Sequence, residues 1–287
     1  MRVAGRSIRI DTTQVIIGLL LTLLAAFMAL PIVFIFMQAF KPLSELFLYP
    51  PRFYVMNPTL QNFSRLLTTL DVAVVPAVRY VFNSVIATAA AVTAVLFVST
   101  TVAYALSKHD FPGRKLILDM TIVALMFAPQ AVLIPRFLLI QRLHLYNTYF
   151  AHVLPFVAAP VSVFLLKQFI DQVPDEMILA ARVDGASEWQ IIFRVVAPIC
   201  RPALATVGLL AFQGVWNSME TSTYYIRSEA MKTLPFFLGT LTSAMTNNVA
   251  GQGAAAAAGL LMFLPNLLMF LVLQSKVVQT MAHSGLK

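Results

Sequence analysis

Six stretches of this chain are apolar for close to the length a helix needs to cross a lipid bilayer, and that pattern constrains the fold more than any motif. About 30 Å of hydrocarbon at 1.5 Å per residue requires roughly 20 residues. Residues 15–40 and 80–106 carry no charge, 116–135 carry only Asp119, and 146–166 hold His152. Residues 253–274 are uncharged, and 202–216 fall short unless a turn extends them. The expected fold is therefore an all-α integral membrane protein with six transmembrane helices. The first apolar run follows Arg2, Arg6 and Arg9, as a secretion signal would. Its length exceeds a signal's short apolar core and no small-residue cleavage site follows, so it reads as a retained helix.

Composition agrees. Of 287 residues, 59% are hydrophobic and 11% charged, whereas a soluble domain is about a quarter charged. A soluble single-domain enzyme and a disordered chain are both excluded on that ground. The formal charge of +8 is scattered between apolar runs, which does not suggest a nucleic-acid partner. The single cysteine, Cys200, excludes an intrachain disulfide and reads as a small buried apolar residue. His109, His144, His152 and His283 have no ligand spacing, so no metal site is expected. With six spans both termini share a side, and loop charge selects it. Arg2, Arg6, Arg9, Lys108, Arg114, Lys115, Lys167, Arg182, Arg194, Arg201, Lys276 and Lys287 would then lie inside. Residues 1–14 are expected as a cytoplasmic N-terminus, 15–275 as the six-span domain, and 276–287 as a cytoplasmic tail. The Pro-rich outer loop after the first span is expected to lie on the membrane surface. The low-complexity run 251–258 reads either as a close-packing stripe or as an ordinary helix start.

One long polar segment, 171–201, interrupts the apolar pattern (DQVPDEMILAARVDGASEWQIIFRVVAPICR). A helix is expected after Pro174, with Asp175 and Glu176 in its first turn, where negative charge suits the helix dipole. Asp184-Gly185 reads as a break made by glycine at positive φ. A second helix starts near Ser187, and Pro198 marks its bend or end. Ala180 and Ala181 offer a smooth surface. Such an element suits docking into another protein's groove, and it equally suits an amphipathic connector on the bilayer surface.

The run PDEMILAARVDGASEWQIIFRVVAPICRPALAT resembles the cytoplasmic loop of binding-protein-dependent ABC importer permeases, the EAA motif followed by Gly and then by Ile and Pro. YALSKHDFPGRK, APQAVLIPRFLL, LHLYNTYFAHVLP and VWN resemble further segments of the same family, in order over about 200 residues. The match is to the carbohydrate branch, specifically the second permease of maltose-type systems. The resemblance implies a non-enzymatic subunit of the bacterial or archaeal plasma (inner) membrane, with both termini cytoplasmic. It implies four kinds of partner: a second homologous permease, two ATPase subunits, an extracytoplasmic solute-binding protein and membrane lipid. ATP and Mg would sit on the ATPase subunits and no cofactor on this chain, which lacks a phosphate-binding Gly-rich loop. Glu176, Ala180, Ala181, Asp184, Gly185 and Ala186 would couple it to the ATPase. One departure stands out: the motif's glutamate is Leu179 here, which removes a charged contact that Glu176, one turn earlier, could replace in part.

Polar residues inside spans are the candidates for a substrate pathway, because lipid does not solvate them. These are Gln213, Trp216 and Asn217, with Asn83, Ser84 and Gln130. Gln213 and Asn217 share a helix face, and amides beside an aromatic ring suit a sugar. The same residues suit interhelical hydrogen bonds and an interfacial tryptophan. The substrate expected is a sugar or oligosaccharide. A permease for a non-sugar solute and an ion-coupled secondary transporter are the alternatives, although the latter needs an intramembrane carboxylate and only Asp119 qualifies. Lys115 and Asp119 are expected to form a local ion pair. Glu220 and Glu229 are expected to be solvated.

Overall fold

The computed structural model describes residues 12–71, 75–245 and 249–284. Arg2, Arg6, Arg9 and Lys287, which weighed in the topology, lie outside the described residues. Every regular element among the described residues is helical. Three helices are long and apolar enough to cross a membrane, and the number reaches six if each of three bent helix pairs is one span. The chain divides into two compact units, residues up to 66 with 242–260, and residues 67–241 with 261 onward.

In the first unit, Thr12–Phe40 is apolar all round, and its side chains from Thr12 to Phe36 are exposed. Over residues 12–36 this helix has no polar face and, among the described residues, no buried one, the character of a surface that meets lipid or another apolar subunit. The segment that follows is tied by buried polar contacts. The Glu45 carboxylate accepts the Met56 and Asn57 backbone N–H groups at 3.0 and 2.8 Å. Buried Asn62 donates to the Ala39 and Lys41 carbonyls. The loop thus has a fixed shape and two helices, Leu43–Leu46 and Gln61–Asp71.

The second unit is organised around Ala77–Lys108. Three proline-marked breaks set the shape of what packs on it. The expected span 116–135 is not one helix: Arg114–Ala124 ends, and the chain resumes at Pro129–Arg142 with a bend of 113°. Pro129 forces Ala128 out of helical geometry (φ −67, ψ 136), the steric effect of proline on the preceding residue. The expected span 146–166 divides for the same reason. Phe150–Val157 and Pro160–Ile170 meet at 50° across Ala158 and Ala159. The third bend, 90°, separates Glu188–Ile199 from Arg201–Trp216. It sits at Cys200, before Pro202, and not at Pro198. Pro198 has a different effect: with no N–H to donate four residues back, it follows a widened turn of π type at Ile191–Val196.

Helices Leu234–Met245 and Val249–Ser284 complete the chain. The former is an apolar helix that the six-span reading did not contain. The stretch 251–258 lies inside the latter, where Gly253, Ala254, Ala257 and Ala258 are buried. A Cβ at Gly253 would come within 2.6 Å of the Asn62 amide, so close packing is the reason for glycine there.

The Met56 and Asn57 N–H groups hold the Glu45 carboxyl below its ordinary value of 4.5, chiefly through the Met56 bond. A carboxyl whose folded pKa is depressed stabilises the fold above its unfolded pKa and loses that contribution as pH falls through the folded value. The Met56 and Asn57 amides are accordingly expected to lose hydrogen-exchange protection only below about pH 4.5. Glu45→Gln should remove the acid dependence of that protection.

Candidate functional site

The polar segment folds as its sequence indicates. Asp175–Val183 is a helix with Asp175 and Glu176 in its first turn. It ends in a Schellman motif: the Gly185 N–H donates to the Arg182 carbonyl at 3.0 Å, and the Ala186 N–H to the Ala181 carbonyl at 2.9 Å. Gly185 supplies the left-handed residue that this closure requires, at φ +77. Ser187 then caps the next helix in a reciprocal capping box with Gln190.

Its two faces differ. Ile178 is buried with Ile170, Val173, Ile191 and Tyr104, and Ala181 and Ala186 pack against that same core. The expected smooth surface is therefore split, since Ala181 faces the core while Ala180 is exposed. Glu176, Leu179, Val183, Asp184 and Gly185 are exposed with it, Leu179 by 56% and Val183 by 88%.

Four side chains that the sequence did not single out lock this element to the end of Ala77–Lys108. The Glu188 carboxylate accepts the Tyr104 hydroxyl at 2.7 Å and the Arg182 guanidinium at 3.0 Å, and lies 3.3 Å from His109 Nε2. Lys108 Nζ donates to the Val173 carbonyl at 2.6 Å and pairs with Asp175 at 2.7 Å. Arg114 pairs with Asp110. Among the described residues no Lys115–Asp119 ion pair forms. One helix end thus carries ties to both helices of the loop.

Toward the other end of Ala77–Lys108, around Asn83 and about 38 Å from Lys108 at 1.5 Å per residue, a second polar cluster gathers. Buried Asn83 donates to the Ala230 and Lys232 carbonyls at 2.9 and 2.8 Å and accepts the Tyr149 hydroxyl at 2.8 Å. Ser84 accepts the Leu234 N–H at 2.7 Å. His152 bridges Thr221 and the Met231 carbonyl. Glu220 is ion-paired with Arg136 at 2.9 Å, and Glu229 with Lys232. The segment 218–234 is therefore clamped to the helices beside it; Glu220 is held in an ion pair instead of standing free in solvent, whereas Glu229 is exposed, in keeping with the expectation. No cluster of three metal-ligating side chains occurs among the described residues.

The remaining candidate pathway residues separate. Gln130 is exposed in the turn Pro129–Val132. Gln213 and Asn217 are exposed on one face of Arg201–Trp216. Asn217 exchanges an amide contact with Asn266 of Val249–Ser284, whose Nδ2 donates to Asn217 Oδ1 at 2.9 Å. Trp216 is buried and stacks on Phe212 at 5.7 Å. Its indole N–H is buried without a hydrogen-bond partner among the described residues, and the ring borders an apolar hollow of about 320 Å³ with Val85, Thr88, Phe212 and Met269.

A family model described as the binding-protein-dependent transport system inner membrane component matches residues 108–275. The chain belongs to this family. The permease is 30% identical over 282 residues to the arabinooligosaccharides transport system permease of Halalkalibacterium halodurans, covering 96% of this chain and 98% of that one. It is 27% identical to the diacetylchitobiose uptake system permease of Streptomyces coelicolor, covering 92% and 86%. The fold matches a chain of a bacterial ABC transporter that imports the acidic polysaccharide alginate, with a TM-score of 0.76 at 23% identity over 96% of this chain and 99% of that one. The permease is an integral membrane protein, and its family is one of transporter subunits that are not themselves enzymes.

Tyr104, Lys108, His109 and Glu188 escaped the sequence because their partners lie 65 to 84 residues away. The available signal was a run of polar groups, Ser107 to Asp110, at the end of an uncharged span. Asn266 could have been found as an amide inside the last apolar run.

Glu188→Ala is expected to raise hydrogen exchange across 182–188 and leave the Asn83 cluster protected, as mass spectrometry of the detergent-solubilised permease would read. Asn83→Ala removes two hydrogen bonds to backbone carbonyls and should cost about 1–3 kcal/mol, seen as a lowered thermal midpoint.

Proposed function

We propose that this chain is one of two permeases in an ATP-driven, binding-protein-dependent importer of a sugar or oligosaccharide, and that the Asp175–Val183 helix and its Gly185 turn couple it to an ATPase. The observation that carries this reading is the exposed helix and closed turn fixed to one end of Ala77–Lys108 by Glu188 and Lys108. A push on that helix reaches the long helix Ala77–Lys108 through short polar contacts between side chains and not through a flexible loop. Glu176, Ala180, Asp184 and Gly185 form the contact face, and Ala181 and Ala186 hold it on the core.

On this reading the loop and both termini are cytoplasmic, ATP and Mg bind two separate ATPase subunits, and a second, homologous permease completes the pathway. A solute-binding protein delivers substrate at the opposite face, where the clamped segment 218–234 supplies a rigid surface. Support for such a partner comes from a second similar structure, matched with a TM-score of 0.57: a bacterial alginate ABC transporter in complex with a periplasmic protein that holds an alginate pentasaccharide. The sugar assignment draws on the relatives named for arabinooligosaccharides and diacetylchitobiose. Gln213, Asn217 and the unpaired indole N–H of Trp216 are the groups offered to a hydroxylated ligand, since a buried donor without a partner gains most from one. Asn83 and Ser84 shape the pathway by holding 230–234 in place.

The test is ATP hydrolysis by the assembled complex in liposomes, with a panel of neutral and acidic oligosaccharides on the binding protein. Stimulation by one loaded binding protein is the expected result. Ion-gradient-driven uptake by the chain alone would replace the reading with a secondary transporter. Gly185→Val, a β-branched residue forced to φ +77, should reduce uptake by about tenfold or more, equivalent to about 1.4 kcal/mol, while the permease pair still assembles.

A further inference from the structure

A cavity of about 330 Å³ is enclosed by the end of Ala77–Lys108, the start of Arg114–Ala124 and the helix Asp175–Val183. Its polar lining is Ser107, Lys108, Asp110, Arg114, Asp175 and Arg182. The two signs of charge are unevenly placed. The Lys108 side chain is 7% exposed, and those of Arg114 and Arg182 are partly covered, whereas Asp175 and Asp110 are 75% and 93% exposed. The carboxylates thus stand in water, where their charge is well screened, and the cations do not. Not every donor of these cations is used. Lys108 Nζ commits two N–H groups, to the Val173 carbonyl and to Asp175. Arg114 commits Nε to the Leu106 carbonyl and Nη1 to Asp110, and its Nη2 has no hydrogen-bond partner among the described residues.

We propose that Lys108, Arg114 and Arg182 form a phosphate-binding site, which takes either the phosphate of an anionic lipid headgroup or a free phosphate ion. A tetrahedral anion accepts several N–H groups at once, and guanidinium forks match its paired oxygens. Arg114 is also the first residue of its helix, the end at which the backbone dipole favours negative charge. The cavity lies where an anionic lipid presents its phosphate. Arg114–Ala124 has no buried residue, leaves Leu116, Ile117 and Met120 exposed, and forms a candidate span with Pro129–Arg142. Apolar surface therefore gives way to cations at the start of this helix, the arrangement of basic pockets that hold lipid headgroups between membrane helices. A bound phosphate bridges Arg114 to Arg182 and so joins Arg114–Ala124 to the polar loop.

The test is hydrogen exchange, read by mass spectrometry, of the full chain purified with the subunits that it retains. Nanodiscs of phosphatidylcholine are compared with nanodiscs that also contain phosphatidylglycerol. In detergent, sodium phosphate is compared with sodium chloride at equal ionic strength. Exchange of 107–116 and 175–183 should slow by about tenfold when the site fills. Slowing by phosphatidylglycerol alone assigns the site to a lipid headgroup, and slowing by sodium phosphate assigns it to the free ion. In either case Arg114→Gln should abolish the response and leave the Asn83 cluster protected. Lys115→Gln, at an exposed neighbour outside the cavity, should keep it. Asp110→Asn, which releases Arg114 Nη1, should strengthen the response by about two- to fivefold, a gain that misfolding does not produce. No slowing by either probe, or a slowing that Arg114→Gln retains, would overturn the site. So would a slowing that Lys115→Gln abolishes as fully as Arg114→Gln, because scattered surface charge would then account for it.

Discussion

Hydrocarbon offers no hydrogen-bond partner to a backbone N–H or C=O, and the organisation of this chain follows from how it meets that constraint. Helices satisfy their own backbones, so the apolar runs become helices. The constraint is harder where proline removes a donor or expels its neighbour from helical geometry. This chain accepts three such breaks, at Leu125–Ala128, Ala158–Ala159 and Cys200. The second and third lie next to groups of the buried cluster around Leu166, Ile170 and Val196, where Ala159 and Cys200 pack. Bent pairs in place of straight rods allow the polar loop between them to fold back on the core.

Ala77–Lys108 carries the mechanical logic. Its ends hold two polar clusters of different character. Near Lys108, charged groups on the loop helices meet Tyr104, His109 and Lys108, and most contacts join residues far apart in sequence. Near Asn83, amide, hydroxyl and imidazole groups, joined by the Arg79 guanidinium, bind the backbone of 230–234. Charged pairs suit the partly exposed Lys108 end, where water lowers the cost of bringing ionised groups together. Fully satisfied neutral hydrogen bonds suit buried positions, where an unpaired group is most costly. A single continuous helix, Ala77–Lys108, joins the two clusters.

The loop was the most legible part of the sequence because its shape is set by local rules. Pro174, the acidic first turn, Gly185 and Ser187 each act within a few residues, and each element appears where they place it. The family motif was legible for the same reason. The division of labour between Ala180 and Ala181 was not, because which alanine faces the core depends on how the helix lies on Ile178 and its neighbours. Span continuity was overestimated: apolar length is blind to the effect of Pro129 and Pro160 on the residue before them. The Glu220 carboxylate was misplaced because its partner Arg136 is 84 residues away.

Sequence alone determined that the chain is helical and membrane-bound, where its polar loop lies, and how that loop turns, since hydrophobic length, proline and glycine act locally. Tertiary structure decided which polar residues support the fold and which remain free. Asn83 and Ser84 are committed to backbone partners about 150 residues away, whereas among the described residues the Trp216 indole N–H has no hydrogen-bond partner and Leu179 and Val183 stay exposed. That outcome depends on which side chains long-range packing brings within 3 Å, and residue type and spacing carry no record of it.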